Sequence, residues 1–546
     1  MKRKAVAAVL TAVMVASMFT GCGSDNGRSS AKSASAASAA SAANDTVDED
    51  GKVNGIMYQE GLPLVDEGDY TFSIFCDDSS ESGEFIMLDE FKKQTNVDVD
   101  LKIYPYETAT ERLNLDLNSG DYADVIGGWT LSDNAILTYG VNQGVFIPLE
   151  DYFEKYCPNI SAILDLPGVR EKMTAPDGHI YTIPYVCADS TVGYSPYINT
   201  KWLENVGMSM PTTTDEFEAV LKAFKEQDAN GNGDASDEIP FSTDPNNKHI
   251  EAMAGYFGLP MNKLGIAIQN EKVVYGGVSD TYREFLSWFH KLYAEGLVDV
   301  ELYTQDSSTW EGKGNQDLYG VSIAYGSGEF TGIPAAEERG DFDSMPVLNT
   351  DKDGIWLRDT EGFSVYRTQA VITNKAEHPE IICRWFDNAF ALENGIGCNR
   401  GPVGVIVNKE DDGYHAIDTT TLSEEDQEKY SWGNLWPQSL PKYLPADFEF
   451  VEEHPMYDEK KATEEAYEAN LTKEIIPSYW IDLDKIDTFS DTNTAIKDFF
   501  EQQQAQFVCG ELDIDNDADW QAYVDGMYSL GLEDWVATQG IEEIAK

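Results

Sequence analysis

The chain has 546 residues, of which 38 are basic and 97 acidic, so its formal net charge at pH 7 is −59. A chain of this length predicts two or more lobes, and 42% hydrophobic with 12% aromatic residues is typical of folded protein. A strongly acidic surface repels nucleic acid and anionic membranes, which excludes polyphosphate partners and favours a neutral ligand or a cation.

The N-terminus predicts export. Three bases precede an apolar run from Ala5 to Phe19, which is too short to span a membrane. The following TGC resembles a bacterial lipobox and predicts a signal peptide over residues 1–21 and lipidation of Cys22. Cleavage by an ordinary signal peptidase, which would release a free protein, is the alternative. Residues 22–66 are rich in Ser, Ala, Gly and Asp and predict a flexible, lipid-anchored linker.

Strand and helix patterns alternate over the next stretch of chain. DYTFSIFCDD, VDVDLKIY and ADVIGGW predict strands, and GEFIMLDEFKKQTN and ETATERLNLDLNSGD predict the helices between them. This βαβαβ order predicts an α/β lobe with a mainly parallel sheet, whose ligands bind beyond the carboxyl ends of the strands. Those ends carry Asp77, Asp78 and Trp129.

Amphipathic helices and further strands follow. Thr213 and Glu216 form a capping box ahead of a helix that places Phe217, Val220, Leu221 and Phe224 on one face. LYGVSIAYGSGEF and GFSVYRTQAVITN predict strands, HPEIICRWFDNAF predicts a helix, and the last 80 residues are mostly helical and acidic. Trp202, Trp288 and Trp385 lie on helical faces and are expected in a core.

The stretch QDANGNGDASDEIPF begins as a calcium loop begins, with short oxygen-bearing side chains at alternate positions of a turn. The predicted ligands of a structural Ca²⁺ are Asp228, Asn230, Asn232, Asp234, Asp237 and Glu238, with Asp234 contributing its backbone carbonyl. A turn without a metal is the alternative. A single loop of this kind argues against a calcium sensor. A second alternation of acids over residues 513–517 precedes a helix and is interpreted as capping.

The cysteines leave their pairing open. Six remain besides Cys22, namely Cys76, Cys157, Cys187, Cys383, Cys398 and Cys509, and no CxxC motif relates them. Both disulfide pairing and buried free thiols fit this spacing.

Several stretches together resemble one family, the carbohydrate-binding family 1 extracellular solute-binding proteins of bacterial ABC importers. They are ERLNLDLNSGDYADVI, DGHIYTIPY, INTKWLENVGMSMPTTTDEFEAVLKAFKEQDANGNGDASDEIPF, ITNKAEHPEIICRWFDNAF and CGELDIDNDADWQAYVDGMYSLGLEDWVATQ. The chain departs from the family at Tyr122-Ala123, where Leu-Pro is usual, and at Gly127-Gly128-Trp129. The family has a shortened calcium loop ending in Asp-Glu-Ile-Pro, so the resemblance explains Glu238 at the eleventh position.

The resemblance implies an α/β, two-lobe clamshell of the periplasmic-binding-protein type II, with discontinuous lobes and a helical C-terminal part. By analogy the N-terminal lobe comprises residues 67–188 plus 347–402, and the C-terminal lobe residues 189–346 plus 403–546. Aromatic rings cover the apolar faces of sugars while carboxylates accept their hydroxyls. The candidate ligand residues are Asp77, Asp78, Trp129, Tyr194, Tyr325, Glu329, Trp356, Trp432 and Trp436. For any single aromatic among them, core packing is as strongly expected as ligand contact.

The function predicted from these features is that of a monomeric, lipid-anchored receptor on the extracellular face of the cell membrane. It would capture a mono- or oligosaccharide between its lobes and deliver it to the membrane subunits of an ABC permease. No nucleophile elbow, HExxH motif or phosphate loop occurs, so the chain is not predicted to be an enzyme. A secreted glycan hydrolase or lyase, and the same receptor with a peptide or other non-sugar ligand, are the alternatives.

Overall fold

The computed structural model describes residues 45–77, 84–244, 249–332, 341–417, 419–445, 448, 450–451 and 455–545. The predicted signal peptide, the lipidation site Cys22, linker residues 22–44 and Asp78 lie outside the described residues. Across the described ranges, every helix is too short or too polar to cross a membrane.

Sixteen strands are formed by the described residues. They are β1 (Lys52–Val53), β2 (Met57–Tyr58), β3 (Tyr70–Asp77), β4 (Val97–Tyr104), β5 (Val125–Gly127), β6 (Thr182–Ala188), β7 (Ser195–Asn199), β8 (Ile239–Thr243), β9 (Ile266–Gln269), β10 (Lys272–Tyr275), β11 (Tyr319–Ala324), β12 (Phe342–Ser344), β13 (Phe363–Ile372), β14 (Val407–Glu410), β15 (Gly413–Ala416) and β16 (Glu543–Ile544).

The α-helices are α1 (Ile86–Thr95), α2 (Tyr106–Ser119), α3 (Asp133–Ala135), α4 (Glu150–Tyr156), α5 (Pro158–Leu164), α6 (Val169–Met173), α7 (Thr200–Val206), α8 (Thr214–Glu226), α9 (Asp280–Ala294), α10 (Ser307–Asn315), α11 (Gly328–Thr331), α12 (Pro379–Ala389), α13 (Leu392–Arg400), α14 (Glu424–Lys429), α15 (Pro455–Tyr467), α16 (Ile486–Cys509), α17 (Asp517–Ser529) and α18 (Leu532–Thr538). A π-helical segment spans Ile136–Asn142, and 3₁₀ helices span Ile250–Phe257, Thr419–Thr421, Trp432–Asn434, Glu468–Asn470 and Leu483–Lys485.

The first lobe is built on a five-stranded sheet in the order β4-β3-β5-β13-β6. The predicted βαβαβ unit supplies β3, β4 and β5, which run parallel, while β13 joins antiparallel to both β5 and β6. One face of this sheet is covered by α12, whose Trp385 packs edge-on against Phe72 and Phe91 at centroid distances of 5.3 and 5.5 Å.

The second lobe is built on a four-stranded sheet in the order β12-β7-β11-β8, next to a small sheet of β16, β10 and β9. Helix α8 covers it and begins as predicted, because the Thr213 hydroxyl accepts a hydrogen bond from the Glu216 backbone N–H at 3.2 Å. The Glu216 carboxylate caps Thr212 instead of Thr213, accepting from its backbone N–H at 2.9 Å. Phe217 of this helix then packs edge-on against Phe241 of β8.

The packing of two tryptophans contradicts the predicted lobe boundaries. Trp356 was expected with the first lobe, but it packs on Tyr256 and Tyr467 in the second core. Trp436 was expected with the second lobe, but it stacks on Trp385 of the first core at 5.7 Å. Both are large apolar side chains buried by partners distant in sequence. The remaining lobe boundaries stay a prediction.

The segment from residue 45 to residue 66 is folded onto the first lobe, so the prediction of a flexible linker over 22–66 is wrong for this part. Val53, Met57, Leu64 and Val65 are buried in the first core. Asp45 accepts a hydrogen bond from the Tyr156 hydroxyl at 2.7 Å. Each apolar side chain buried in this way contributes about 1.5–3 kcal/mol, which offsets the entropy of ordering a polar segment.

All six cysteines after Cys22 fall within the described residues and are free thiols, and the four buried ones agree with the second alternative. Cys76, Cys157, Cys383 and Cys398 are buried, Cys187 is half-buried and Cys509 is exposed.

Docking of the N-terminal segment predicts that truncation of its buried side chains destabilises the protein. We expect Met57→Ala and Leu64→Ala each to lower the free energy of unfolding by about 2–5 kcal/mol, measured by chemical denaturation. Leu62→Ala is the matched control, because Leu62 is exposed in the same segment, and its effect should stay within about 0.5 kcal/mol. Equal stabilities for all three variants would show that the segment is not docked.

Candidate functional site

The turn after β5 presents an aromatic side chain at the carboxyl end of the first sheet. The backbone N–H groups of Trp129 and Thr130 donate to the two carboxylate oxygens of Asp77, at 2.9 and 2.6 Å. Gly128, directly before Trp129, has φ +129°, and a Cβ there would lie 2.3 Å from an Asp77 oxygen. Only glycine fits that position, and the turn leaves the Trp129 side chain 46% exposed.

Asp77 was predicted to accept hydroxyl groups of a ligand, and the structure gives it a different role. Its side chain is fully buried, and this burial raises the pKa of the carboxyl. Both oxygens are occupied by the turn, so Asp77 holds Trp129 in place and does not reach a ligand itself.

Two tyrosines beside Trp129 complete an aromatic wall on the first lobe. Tyr185 of β6 and Tyr366 of β13 are direct partners in the antiparallel pairing, and their rings stack at 5.5 Å. Trp129 meets Tyr366 edge-on at 5.3 Å and lies 6.4 Å from Tyr185. Sequence reasoning missed both tyrosines. The available signal was the alternation in DGHIYTIPY, which places Tyr185 beside the predicted strand end.

A second group of aromatic rings belongs to the second lobe. Tyr194, just before β7, stacks on the His249 imidazole at 4.0 Å and meets Tyr325, just after β11, at 6.1 Å. Burial of the imidazole lowers the pKa of His249 to about 3, so this ring is neutral. Tyr194 and Tyr325 are therefore brought together, and His249 lies beside Tyr194. No pattern in the sequence indicated His249.

Carboxylates line the second group of rings. Glu329 accepts from the Tyr325 backbone N–H at 2.9 Å, and Asp359 accepts from the Gly193 backbone N–H at 2.7 Å. Both side chains are exposed to solvent, yet the surrounding protein removes much of their hydration. This desolvation raises the pKa of Glu329 to about 7 and that of Asp359 to about 6. Both can therefore exchange protons near neutral pH.

One buried ammonium group lies among these carboxylates. Lys460 of α15 donates to the carbonyls of Val192 and Gly193 at 2.9 and 2.7 Å, and its Nζ lies 4.0 Å from the Tyr325 ring centroid. Burial lowers the pKa of Lys460 to about 8, although Glu329 and Asp359 oppose that shift. The Lys460 ammonium therefore holds the backbone at Val192 and Gly193, in the segment that links the lobes.

The two walls meet at Asp189, which follows β6. Its Oδ1 accepts from the Tyr325 hydroxyl at 3.1 Å, and its Oδ2 accepts from the Tyr366 hydroxyl at 3.2 Å. The first lobe supplies Tyr366 and the second supplies Tyr325. The aromatic groups of the two lobes are therefore joined through one carboxylate.

Three other predicted tryptophans have different surroundings. Trp356 and Trp436 are 1% and 0% exposed and belong to the cores, so their prediction as ligand residues is wrong. Trp432 is 58% exposed, and the Lys442 ammonium lies 5.5 Å from its ring centroid. Trp432 thus stays a candidate ligand contact.

The predicted calcium loop connects α8 to β8. Asp228 Oδ2 accepts from the Gly233 backbone N–H at 3.0 Å, and Glu238 Oε1 accepts from that of Ala229 at 2.9 Å. The side-chain amides of Asn230 and Asn232 donate to the Asp237 carboxylate at 3.3 and 2.7 Å.

Two oxygens of this loop are buried without a hydrogen-bond partner among the described residues, namely Asp228 Oδ1 and Glu238 Oε2. Burial also raises the pKa of Glu238, and the adjacent Asp237 adds to this shift. Unpaired buried carboxylate oxygens are costly, and a hard cation is the partner such oxygens fit. The donor set therefore fits Ca²⁺.

The side chains of Glu410, Asp412 and His415 form a second oxygen and nitrogen cluster, on the β14–β15 hairpin, with ligand atoms within 4.8 Å of one another. Sequence reasoning did not indicate it. Its two acids are exposed, and exposed acids of this kind commonly carry no ion, so we assign it no metal.

A family model described as bacterial extracellular solute-binding protein matches residues 78–395. The chain belongs to this family. The resemblance seen in the sequence is thus confirmed, as is the two-lobe α/β fold class.

One relative resembles this chain both in sequence and in its solved structures. The chain is 31% identical over 411 residues, 73% of this chain and 70% of the relative, to the fructooligosaccharide ABC transporter substrate-binding protein FusA of Streptococcus pneumoniae serotype 4. The solved structure of FusA in complex with kestose matches with a TM-score of 0.76 at 26% identity, over 86% of this chain and 98% of that chain. A FusA EF-hand mutant in complex with fructo-nystose matches with a TM-score of 0.75 at 27% identity, with the same coverage.

The Asp77 turn predicts that a methyl group at Gly128 disrupts the first wall. We expect Gly128→Ala to lower the free energy of unfolding by about 1–3 kcal/mol, because the new Cβ meets the carboxylate and the backbone is left-handed. Gly433→Ala is the matched control, since a Cβ there meets nothing within 4 Å. Urea midpoints that do not differ between the two variants would contradict this role of the turn.

Proposed function

We propose that this protein is the receptor of an ABC importer and binds an uncharged oligosaccharide in the cleft between its lobes. The observation that carries the proposal is the pairing of two aromatic walls, Trp129 with Tyr185 and Tyr366, and Tyr194 with Tyr325, across Asp189. Rings of this kind cover the apolar faces of sugars. FusA, which shares the fold, is solved with kestose, and this supports a sugar as the ligand here.

Hydroxyl groups of the sugar would be recognised by the acids of the second lobe. Glu329 and Asp359 each have one oxygen engaged with a backbone N–H, and both side chains reach solvent. A sugar hydroxyl donating to an ionised carboxylate forms a charge-assisted bond, which is stronger than a neutral one. We include Trp432 as a further contact, because it is exposed on the first lobe.

Lobe closure would couple binding to transport. A ligand that touches both walls has more contacts in the closed arrangement than in the open one, and this difference shifts the protein towards closure. A permease that recognises the closed arrangement would then receive the sugar unchanged. The protein is accordingly proposed to bind and not to catalyse.

The cellular context is part of the proposal. Cleavage after residue 21 and lipidation of Cys22 would anchor a monomer to the extracellular face of the cell membrane, next to the permease. The folded segment 45–66 would leave residues 22–44 as the linker.

We also propose a structural Ca²⁺ in the loop between α8 and β8. The ligands would be Asp228, Asn230, Asn232, Asp237 and Glu238 with the Asp234 carbonyl. The two unpaired buried oxygens support this, and so does the description of a FusA variant as an EF-hand mutant. The ion would neutralise the loop carboxylates and hold the end of α8 against the start of β8.

Sugar binding can be tested by calorimetry with a panel that includes kestose, maltotriose and cello-oligosaccharides. We expect at least one neutral sugar to bind, and Trp129→Ala to weaken its binding about thirtyfold, equivalent to about 2 kcal/mol. Tyr528→Ala is the control, because Tyr528 is an exposed aromatic on α17, outside the cleft.

Chromatography of the recovered sugars completes this test. Ligand returned intact supports a receptor, whereas new reducing ends would show a hydrolase or lyase. Binding of peptides in place of every sugar would sink the carbohydrate proposal.

Calcium binding can be tested by thermal unfolding. With Ca²⁺ at about 100 times its dissociation constant, we expect a chelator to lower the melting temperature by about 2–3 °C. Asp228→Ala should abolish this response. Asp513→Ala, in the acidic stretch that precedes α17, should retain it. A wild-type melting temperature that is unchanged by chelator would show that the loop binds no ion.

A further inference from the structure

The side chain of Asp189 lies where the chain passes from the first lobe to the second. Its backbone N–H still donates to Gly362, next to β13, at 3.1 Å. Two residues later the contacts are with helix α15, because the Thr191 backbone N–H donates to Glu464 at 2.8 Å. Helix α15 in turn is fixed to the second lobe by the Tyr467 hydroxyl, which donates to the Met345 carbonyl at 2.7 Å.

Helix α15 grips the chain that follows Asp189. Glu464 also accepts from the Ser190 hydroxyl at 2.8 Å, and Lys460 donates to the Val192 and Gly193 carbonyls. These bonds hold residues 190–193 to the second lobe. Asp189 is therefore the last residue before the segment that α15 holds.

The Asp189 carboxylate accepts hydrogen bonds from both lobes. Oδ1 accepts from Tyr325 of the second lobe at 3.1 Å and from the Ser190 backbone N–H at 2.9 Å. Oδ2 accepts from Ser364 at 2.5 Å and from Tyr366 at 3.2 Å, both on β13 of the first lobe. One side chain thus joins three hydroxyl donors, two of which are phenols of cleft residues.

These phenols belong to the rings that line the cleft. The Tyr366 ring meets Trp129 at 5.3 Å, and the Tyr325 ring meets Tyr194 at 6.1 Å. Fixing a phenol oxygen fixes the direction in which its ring extends from Cβ, because that oxygen lies on the axis through Cβ and the ring. The carboxylate therefore sets the position of one ring in each wall.

We propose that Asp189 is a positioning residue that couples the two walls, so that the angle between the lobes and the affinity for ligand both depend on its carboxylate. The affinity part rests on the proposed function, whereas the angle does not. Asparagine is the informative substitute, because it keeps the shape but replaces one acceptor oxygen by an amide that cannot accept the hydroxyl donors.

The angle is tested by the distance between spin labels placed at Leu115→Cys in the first lobe and Val300→Cys in the second, both exposed, in a Cys509→Ser background. We expect Asp189→Asn to shift or broaden the distance distribution of the sugar-free protein. Ser364→Ala, which removes only the 2.5 Å bond to Oδ2, should act in the same direction and covers failure of Asp189→Asn to fold. Distributions identical to wild type in both variants would overturn the proposal.

Affinity is tested by double-mutant cycles, with kestose as the probe. If Asp189 acts through the phenols, Asp189→Asn combined with Tyr325→Phe or Tyr366→Phe should depart from additivity by about fivefold or more in Kd. Asp189→Asn with Tyr194→Phe is the matched control and should be additive, because Tyr194 lies in the same wall without a bond to Asp189. Additivity in all three cycles would show that Asp189 does not affect the affinity through the phenols.

The two proposals fail differently. If wild-type protein binds neither kestose nor any other sugar of the panel, the proposed function falls, and the label distances still decide whether Asp189 couples the lobes. If a sugar binds normally to Asp189→Asn and the label distances are unchanged, only the coupling falls.

Discussion

A ribbon of hydrogen bonds between two chain crossings fixes how the lobes meet, and the candidate site depends on it. The Asp359 backbone N–H donates to the Thr191 carbonyl at 3.0 Å, and its carboxylate accepts from Gly193 at 2.7 Å. The Thr360 hydroxyl donates to the Ser190 carbonyl at 2.9 Å. These bonds satisfy backbone groups where neither sheet can pair them. The ribbon therefore places these carboxylates and rings beside the two chain crossings between the lobes.

The candidate site combines apolar rings with carboxyl groups that are only partly ionised near neutral pH. Desolvation, with a smaller contribution from the neighbouring acids Asp244 and Asp189, raises the pKa of Glu329 to about 7 and that of Asp359 to about 6, and so disfavours further negative charge there. The Lys460 ammonium opposes both shifts, but its hydrogen bonds go to two carbonyls and it lies over the Tyr325 ring. Such surroundings suit a guest that is uncharged and rich in hydroxyl groups, which is the ligand we propose.

Much of the local structure follows from short stretches of sequence. The Thr213 cap, the amphipathic face of α8 and the βαβαβ unit depend on neighbours a few residues away, and the structure forms them as predicted. The loop after α8 also brings its acids and amides together as expected, although whether an ion sits there stays a prediction. Family membership could likewise be predicted from short sequence motifs. Each motif reflects a local turn or helix face, and the motifs follow one another in a fixed order.

The candidate site was predictable only in part, because exposure depends on contacts distant in sequence. Trp129 is exposed, and Tyr194, Tyr325 and Glu329 lie close together, but their contact with a ligand stays a prediction. Trp356 and Trp436 are buried by Tyr467 and Trp385 from remote helices. Tyr185 and Tyr366 become neighbours only when β6 pairs with β13, some 180 residues later. The sequence by itself determined the elements, the acidic charge and the family. Only the tertiary structure decided which rings face solvent, that Asp77 serves a turn, and that Asp189 joins two walls, because each follows from packing between segments that no local pattern relates.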